Sequence, residues 1–260
     1  MNSPATTPQA WLGLRRKTSA RIALGRSGGS MPSKALIDFK VAHAAARDAV
    51  LAPFSPEKLV ERIQALDITC AQLRSAARDR QEYLLRPDLG RRLSEDSSSQ
   101  LRRIADAHPR PDIAILCSDG LSSLAAERQV LPVLKILIPA LRSAGYAVEP
   151  VLVVPLARVK LQDEVGAALG ARLSLMLLGE RPGLGTPDSL GAYFTWKPSA
   201  ERTDADRNCL SNIRPGGLDP ADAAMKLNRL IRESLRQRLS GVRLKDMGDA
   251  TGSPLPLGEQ

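Results

Sequence analysis

The hydrophobic pattern of this 260-residue chain changes near residue 110. Before that point apolar residues recur at helical spacing. Residues 33–51 set Leu36, Phe39, Ala46 and Val50 on one side of a helix, with Ser33 expected as its cap. Further helices are expected near 56–66, 71–84 and 88–107, interrupted by the turn "LLRPDLGRRLS" at 84–94. Residues 1–32 read as a loop-rich lead-in. After "HPRPD" (108–112) the apolar residues come in unbroken runs: the start of "IAILCSDGLSS", then "AVEPVLVV", then "RLSLMLL". Continuous runs are how strands buried on both faces read. Helical stretches to about 144 and about 169 separate them, so the order is βαβαβ, which implies a parallel sheet with right-handed crossovers. A further strand is expected at "AYFTW" (192–196) and a closing helix near 219–239. The expected class is α/β. A mostly helical N-terminal region (1–109) precedes a Rossmann-like α/β domain with a mainly parallel sheet (110–245), and a disordered tail covers 246–260.

Composition narrows the function classes. Aromatic residues make up only 3% of the chain, so Leu, Val, Ile and Ala must build the core. The net charge of +9 and pI of about 9.9 admit an anionic partner. The arginines are scattered along helical segments, without a Lys/Arg block and almost without aromatics to stack bases. A solvated basic surface, or a basic face against an acidic subunit, is therefore expected rather than a nucleic-acid site. Cys70, Cys117 and Cys209 form no disulfide framework and no CxxC knuckle, and with only His43 and His108 no metal site is expected. Neither histidine has a setting for triad chemistry, so no catalytic residue is assigned. Unpaired cysteines point to a reducing cytoplasm. The opening "MNSPATTPQAWLGLRRKTSAR" lacks the apolar core of a signal peptide. The longest apolar stretch, "VLPVLKILIPAL", is broken by Lys135 and two prolines, so no membrane span is expected.

Candidate chemistry gathers at the strand ends. In an open parallel sheet, ligands bind outside the carboxyl ends of the strands. The loops "CSDGLSS" (117–123), "PLARVK" (155–160) and "GERPGLG" (179–185) leave three strands at that edge, which brings Asp119, Val159 and Glu180 to one rim. Each loop also has a plainer reading. Ser118 or Asp119 caps the next helix. The glycines of "GERPGLG", which fits neither GxGxxG nor GxxxxGK[ST], only permit positive φ. Cys209, within "DRNCLSNIRPGGL", reads as a buried small residue or as part of a second rim segment.

Five stretches, "LLRPDLGRRL", "SDGLSS", "ARVKLQDEVG", "GERPGLGTPDSLGAY" and "RNCLSNIRPGG", occur in one order across residues 84–217. Together they resemble the small (light) subunit of ethanolamine ammonia-lyase, with weaker similarity from about residue 11. The resemblance implies adenosylcobalamin-dependent conversion of ethanolamine to acetaldehyde and ammonia. It implies a large-subunit partner that carries the substrate and radical chemistry, with cobalt carried by the cofactor. It places cofactor contacts at Val159, Glu180 and Cys209, and it leads us to expect "LLRPDLGRRL" and the Arg-rich helices before it against that partner. Some relatives carry an N-terminal extension associated with entry into a bacterial microcompartment, and here the matched region begins almost at once. The expectation is a cytoplasmic enzyme, with encapsulation as the alternative. From the residues alone, a nucleotide- or flavin-binding α/β protein using the same rim stays open.

Overall fold

The computed structural model describes residues 9–18, 20–26 and 28–246. The expected tail lies, from Met247 onward, outside the described residues. The N-terminal part contains α1 (Gln9–Arg15), α2 (Ser33–Leu51), α3 (Pro56–Gln64), β1 (Cys70–Gln72), α4 (Arg80–Leu85) and α5 (Glu95–Ala107). Ser33 is not the cap of α2: it is the first helical residue, and Pro32 holds the cap position without a side-chain bond. The helix expected over 71–84 is also corrected. Residues 70–72 pair with another strand, and the helix starts only at Arg80, where Asp79 accepts the Glu82 amide at 2.8 Å. Three residues of strand are too short to imprint an alternation on the sequence, so tertiary pairing decides the outcome. Helix α5 starts at Ser94, whose hydroxyl accepts the Ser97 amide, and carries Glu95 and Asp96 in its first turn. It stops at His108, before Pro109.

The remaining elements are β2 (Ile113–Ser118), α6 (Ser123–Ser143), β3 (Val151–Val153), α7 (Leu161–Ala168), β4 (Leu173–Gly179), β5 (Leu190–Trp196), β6 (Arg207–Ile213) and α8 (Pro220–Gln237). One six-stranded sheet has the order β1-β3-β2-β4-β5-β6. The first four positions are parallel, while β5 and β6 continue the sheet antiparallel. Every residue of β2 and β4 is buried, as their unbroken apolar runs require. Helices α3, α6 and α8 cover one face over the larger core cluster, which includes Ile115, Leu134, Phe194 and Leu227. Helix α7 covers β2 and β4 on the other face, with α5 packed beside it, over a smaller cluster with Leu116, Val165 and Met176. From the antiparallel end only Tyr193 reaches that second cluster, and then only partly. The second face is therefore left open along β6 at Cys209 and Ser211, while Gly191 and Thr195 of β5 are buried on it.

Strand β6 went unread in the sequence for a physical reason. Its register against β5 shifts between Leu190 and Ala192, so its buried apolar residues, Leu210 and Ile213, stand three apart rather than two. Pro132 and Pro139 lie inside α6 without ending it. No helix among the described residues is long and apolar enough to cross a membrane.

Candidate functional site

The usual ligand crevice of a doubly wound sheet opens between adjacent strands whose helices leave to opposite faces. Here those strands are β2, followed by α6, and β3, followed by α7. The chain narrows this crevice with its own groups, leaving a cavity of about 370 Å³ beside Arg80, Asp119 and Leu156. Asp119 Oδ1 accepts the Leu156 amide at 2.7 Å, and Oδ2 meets Arg80 Nη1 at 3.0 Å. Ser118 Oγ accepts the Ala157 amide at 3.1 Å. Leu156 is held at φ +57°, an uncommon conformation for leucine, by loops tied together in this way. Burial pushes the Asp119 carboxyl up, against the pull of the Leu156 amide and Arg80. Asp119 thus acts as a clamp. It neither caps α6, a task that falls to Ser122, nor shares a rim with Val159.

The larger opening lies over the open face of β6. It is a cleft of about 700 Å³ whose lining includes Val159, Tyr193, Cys209, Arg91 and Arg158. Tyr193 and Cys209 are cross-strand partners, and Val159 packs from the loop that enters α7. Two of the three residues singled out in the sequence thus share one cleft. Cys209 is exposed rather than buried, while Cys70 and Cys117 are buried. Partial desolvation, with Glu180 nearby, pushes the Cys209 thiol up to about 11 against the hydrogen bond from Tyr193. It is a neutral thiol at physiological pH, a polarizable contact and not a nucleophile. Burial first, and then Cys209 and Glu180, raise the Tyr193 phenol.

Glu180 flanks this cleft and spends its carboxylate within the chain. Oε2 accepts the Ser189 hydroxyl at 2.5 Å and the Asn212 amide at 3.1 Å, and Oε1 accepts the Ser211 hydroxyl at 2.5 Å. The cause is the bulge. Asn212 has φ +60°, and the irregular register takes its N–H out of the regular ladder. The carboxylate supplies the missing acceptor by reaching over β5 at Gly191. A Cβ at Gly191 would stand 2.9 Å from Glu180 Oε1 and 2.8 Å from Tyr193 Cε2. Among the described residues, the glycines of "GERPGLG" do not use positive φ, contrary to the plainer reading of that loop. Gly183 and Thr186 instead close a tight turn through both of their backbone bonds, and Ser122 Oγ donates to the Pro187 carbonyl at 2.8 Å.

Two further sets of contacts aim the cleft walls. Arg207 on β6 makes a two-pronged pair with Asp163 on α7, each bond 2.8 Å, and also donates to Thr195. Both side chains are buried. Lys160 joins Asp163 at 3.0 Å and donates to the carbonyls of Ala200 and Arg202. This network locks β6 to the start of α7, and so Cys209 to Val159. On the other side the "RPDLG" turn packs on the Val159 loop: the Arg158 amide donates to Gly90 at 2.7 Å, and Tyr83 Oη donates to Ala157 at 3.2 Å. The Arg158 guanidinium lies 4.2 Å from the Tyr83 ring centroid, and its Nε–H is buried without a partner. Arg86 of the same motif is engaged by Asp88 within the chain.

The cleft contains no nucleophile–base pair, and no group of three His, Cys, Asp or Glu among the described residues is placed to hold a metal ion. Its chemistry is that of contact: the Val159 side chain, a neutral thiol and a phenol, set among the cations Arg91, Arg158, Lys160 and Arg202. Sequence reasoning missed Tyr193, although it is the one aromatic in "GERPGLGTPDSLGAY" and closes that stretch. It also missed the Arg207–Asp163 pair, whose members are 44 residues apart.

Comparison with known proteins gives the family of the chain as a whole. The model of the family described as "Ethanolamine ammonia-lyase light chain (EutC)" matches residues 8–245. The ethanolamine ammonia-lyase small subunit of Azotobacter vinelandii is 51% identical over 245 residues, 94% of this chain and 90% of that one. The small subunit of Pseudomonas fluorescens is 50% identical over 244 residues (94% and 89%), and that of Ralstonia nicotianae 49% over 250 (95% and 93%).

Proposed function

This chain belongs to the ethanolamine ammonia-lyase light-chain family, and we propose that it is the small subunit of that lyase, completing an adenosylcobalamin site at its interface with the large subunit. The reaction is conversion of ethanolamine to acetaldehyde and ammonia, with the reacting groups on the large subunit. The observation that carries the proposal is the joint placement of Val159, Tyr193 and Cys209 in one open cleft, with Glu180 on its flank. The residues suit a corrinoid. The Arg158 side chain, which lines the cleft, offers donors to the amide carbonyls of the corrin rim, and the neutral Cys209 thiol and the Val159 side chain suit an uncharged macrocycle edge. A corrinoid is larger than the cleft, so this chain supplies one wall and the partner the rest.

When bound, the cofactor supplies radical chemistry, and the protein's share is positioning and exclusion of side reactions. In this chain Val159 and Tyr193 shape the wall. Glu180 holds the bulged edge of β6, and Arg207 with Asp163 keeps β6 and α7 in register. A nucleotide or flavin reading is less favoured, because in the crevice those ligands use Asp119 is already engaged by Arg80 and the Leu156 amide, and it sets a carboxyl where a phosphate would lie.

The test is reconstitution. The chain combined with the large subunit should turn over ethanolamine only when adenosylcobalamin is added, and neither subunit should do so alone. Turnover by the large subunit alone at the rate of the complex would refute the proposal.

A further inference from the structure

We propose that α2 and the basic groove beside it are the surface by which this chain seats on the large subunit, against an apolar patch bordered by acidic side chains. The inference rests on the small-subunit reading above.

Helix α2 is 19 residues long, yet only Ala49 in it is buried. Its inner side, with Ala35, Phe39, Ala42 and Ala46, is half-buried, and its outer side sets exposed apolar residues among charged ones. Ile37 is 59% exposed and Val41, one turn on, 64% exposed; Leu36 and Met31 stand beside them at 40% and 41%. In a surface helix the side away from the core is normally charged or polar, and here Ile37 and Val41 stand on that side among Lys34, Asp38 and Lys40. Among the described residues nothing covers this side, and an exposed apolar patch of this kind marks an interaction site.

Charge selects among the occupants. Between Gln9 and Leu51 the chain carries eight Lys or Arg and two Asp or Glu. A groove of about 560 Å³ lined by Arg15, Arg21 and Lys34 adjoins the start of α2. A second copy of this chain would oppose like charges across the contact. A membrane surface favours a helix with its apolar residues gathered on one face, whereas those of α2 are spread around the axis. An acidic, apolar patch on the large subunit fits both features.

The test uses the full chain with Ile37→Glu and Val41→Glu together, and in parallel with Ile37→Ala and Val41→Ala, each combined with the large subunit. Alone, both variants should melt with the wild type, because the positions face outward. The dissociation constant of the complex should rise at least about 100-fold for the glutamates and about 10-fold for the alanines. Lys34→Glu should slow association and weaken its salt dependence. Wild-type affinity in the glutamate variant would overturn the proposal. So would a lowered melting point of the isolated alanine variant, self-association of the wild-type chain that the substitutions abolish, or binding to anionic vesicles that they abolish. Failure of the wild-type chain to assemble with the large subunit would sink the small-subunit reading, and this proposal with it.

Discussion

Glu180→Ala separates a brace from a cofactor contact. The carboxylate accepts three hydrogen bonds, from Ser189, Ser211 and the Asn212 amide. A hydrogen bond to a charged group contributes about 1.5–3 kcal/mol. Ser211 and Asn212 are exposed and rehydrate when the carboxylate goes, while Ser189 is buried and is left without its acceptor. The net cost is therefore close to one such bond, about 1.5–3 kcal/mol and not three times that. For a chain near 250 residues each kcal/mol moves the melting point by about 2–4 °C, so the apo complex should lose about 3–12 °C. The loosened edge of β6 carries Cys209, so half-saturation by cobalamin should rise, by up to about tenfold, while turnover at saturating cofactor recovers. Glu180→Gln keeps the shape but offers one acceptor oxygen, and should fall between. The assay is a melting curve and a cofactor titration of activity on the same sample. An unchanged melting point with a raised half-saturation would refute the reasoning and make the carboxylate a direct cofactor contact. Lost turnover that excess cofactor does not restore would also refute it.

Three other outcomes follow from the same geometry. Arg207→Met leaves buried Asp163 with Lys160 as its remaining cation, so in denaturant unfolding it should cost less than a buried charge left wholly unpaired, about 3–5 kcal/mol, and the further variant Lys160→Met should bring the loss up to that range. Gly90→Ala places a Cβ 2.8 Å from Arg158 Cγ and 3.1 Å from the Leu156 carbonyl; the Val159 loop must shift, so cofactor half-saturation should rise with turnover at saturation kept. The Cys209 thiol sits at about 11, above its ordinary value, so its thiolate fraction is small at neutral pH; its alkylation rate should climb about tenfold per pH unit between 7 and 10, and a plateau by pH 9 would contradict the burial argument.

Much of the scaffold was legible before the structure. The runs around Ile115 and Leu175 read as strands buried on both faces and are so, and Asp219–Pro220 marks the start of α8. What escaped depended on long-range partners. Strand β1 is held by β3, some 80 residues later, and the bulge in β6 breaks the alternation that would have revealed it. The site follows the same division. Topology alone put Val159 and Glu180 at a common edge of the sheet. Only the structure shows that Asp119 ties the loops of the expected crevice together and that Glu180 faces a freed amide on β6. Cys209 read as buried because small thiols usually are, but an edge strand with an uncovered second face leaves it exposed.

The central claim is that cobalamin lies against the Val159–Tyr193–Cys209 cleft. Among the three cysteines only Cys209 is exposed, so its alkylation reports on that cleft selectively. The measurement is the labelling rate of the Cys209 peptide, read by mass spectrometry, in the complex with the large subunit, with and without saturating hydroxocobalamin. We predict at least a tenfold slowing with the cofactor, with Cys70 and Cys117 unlabelled in both states. An unchanged Cys209 rate at full cofactor occupancy would contradict the account.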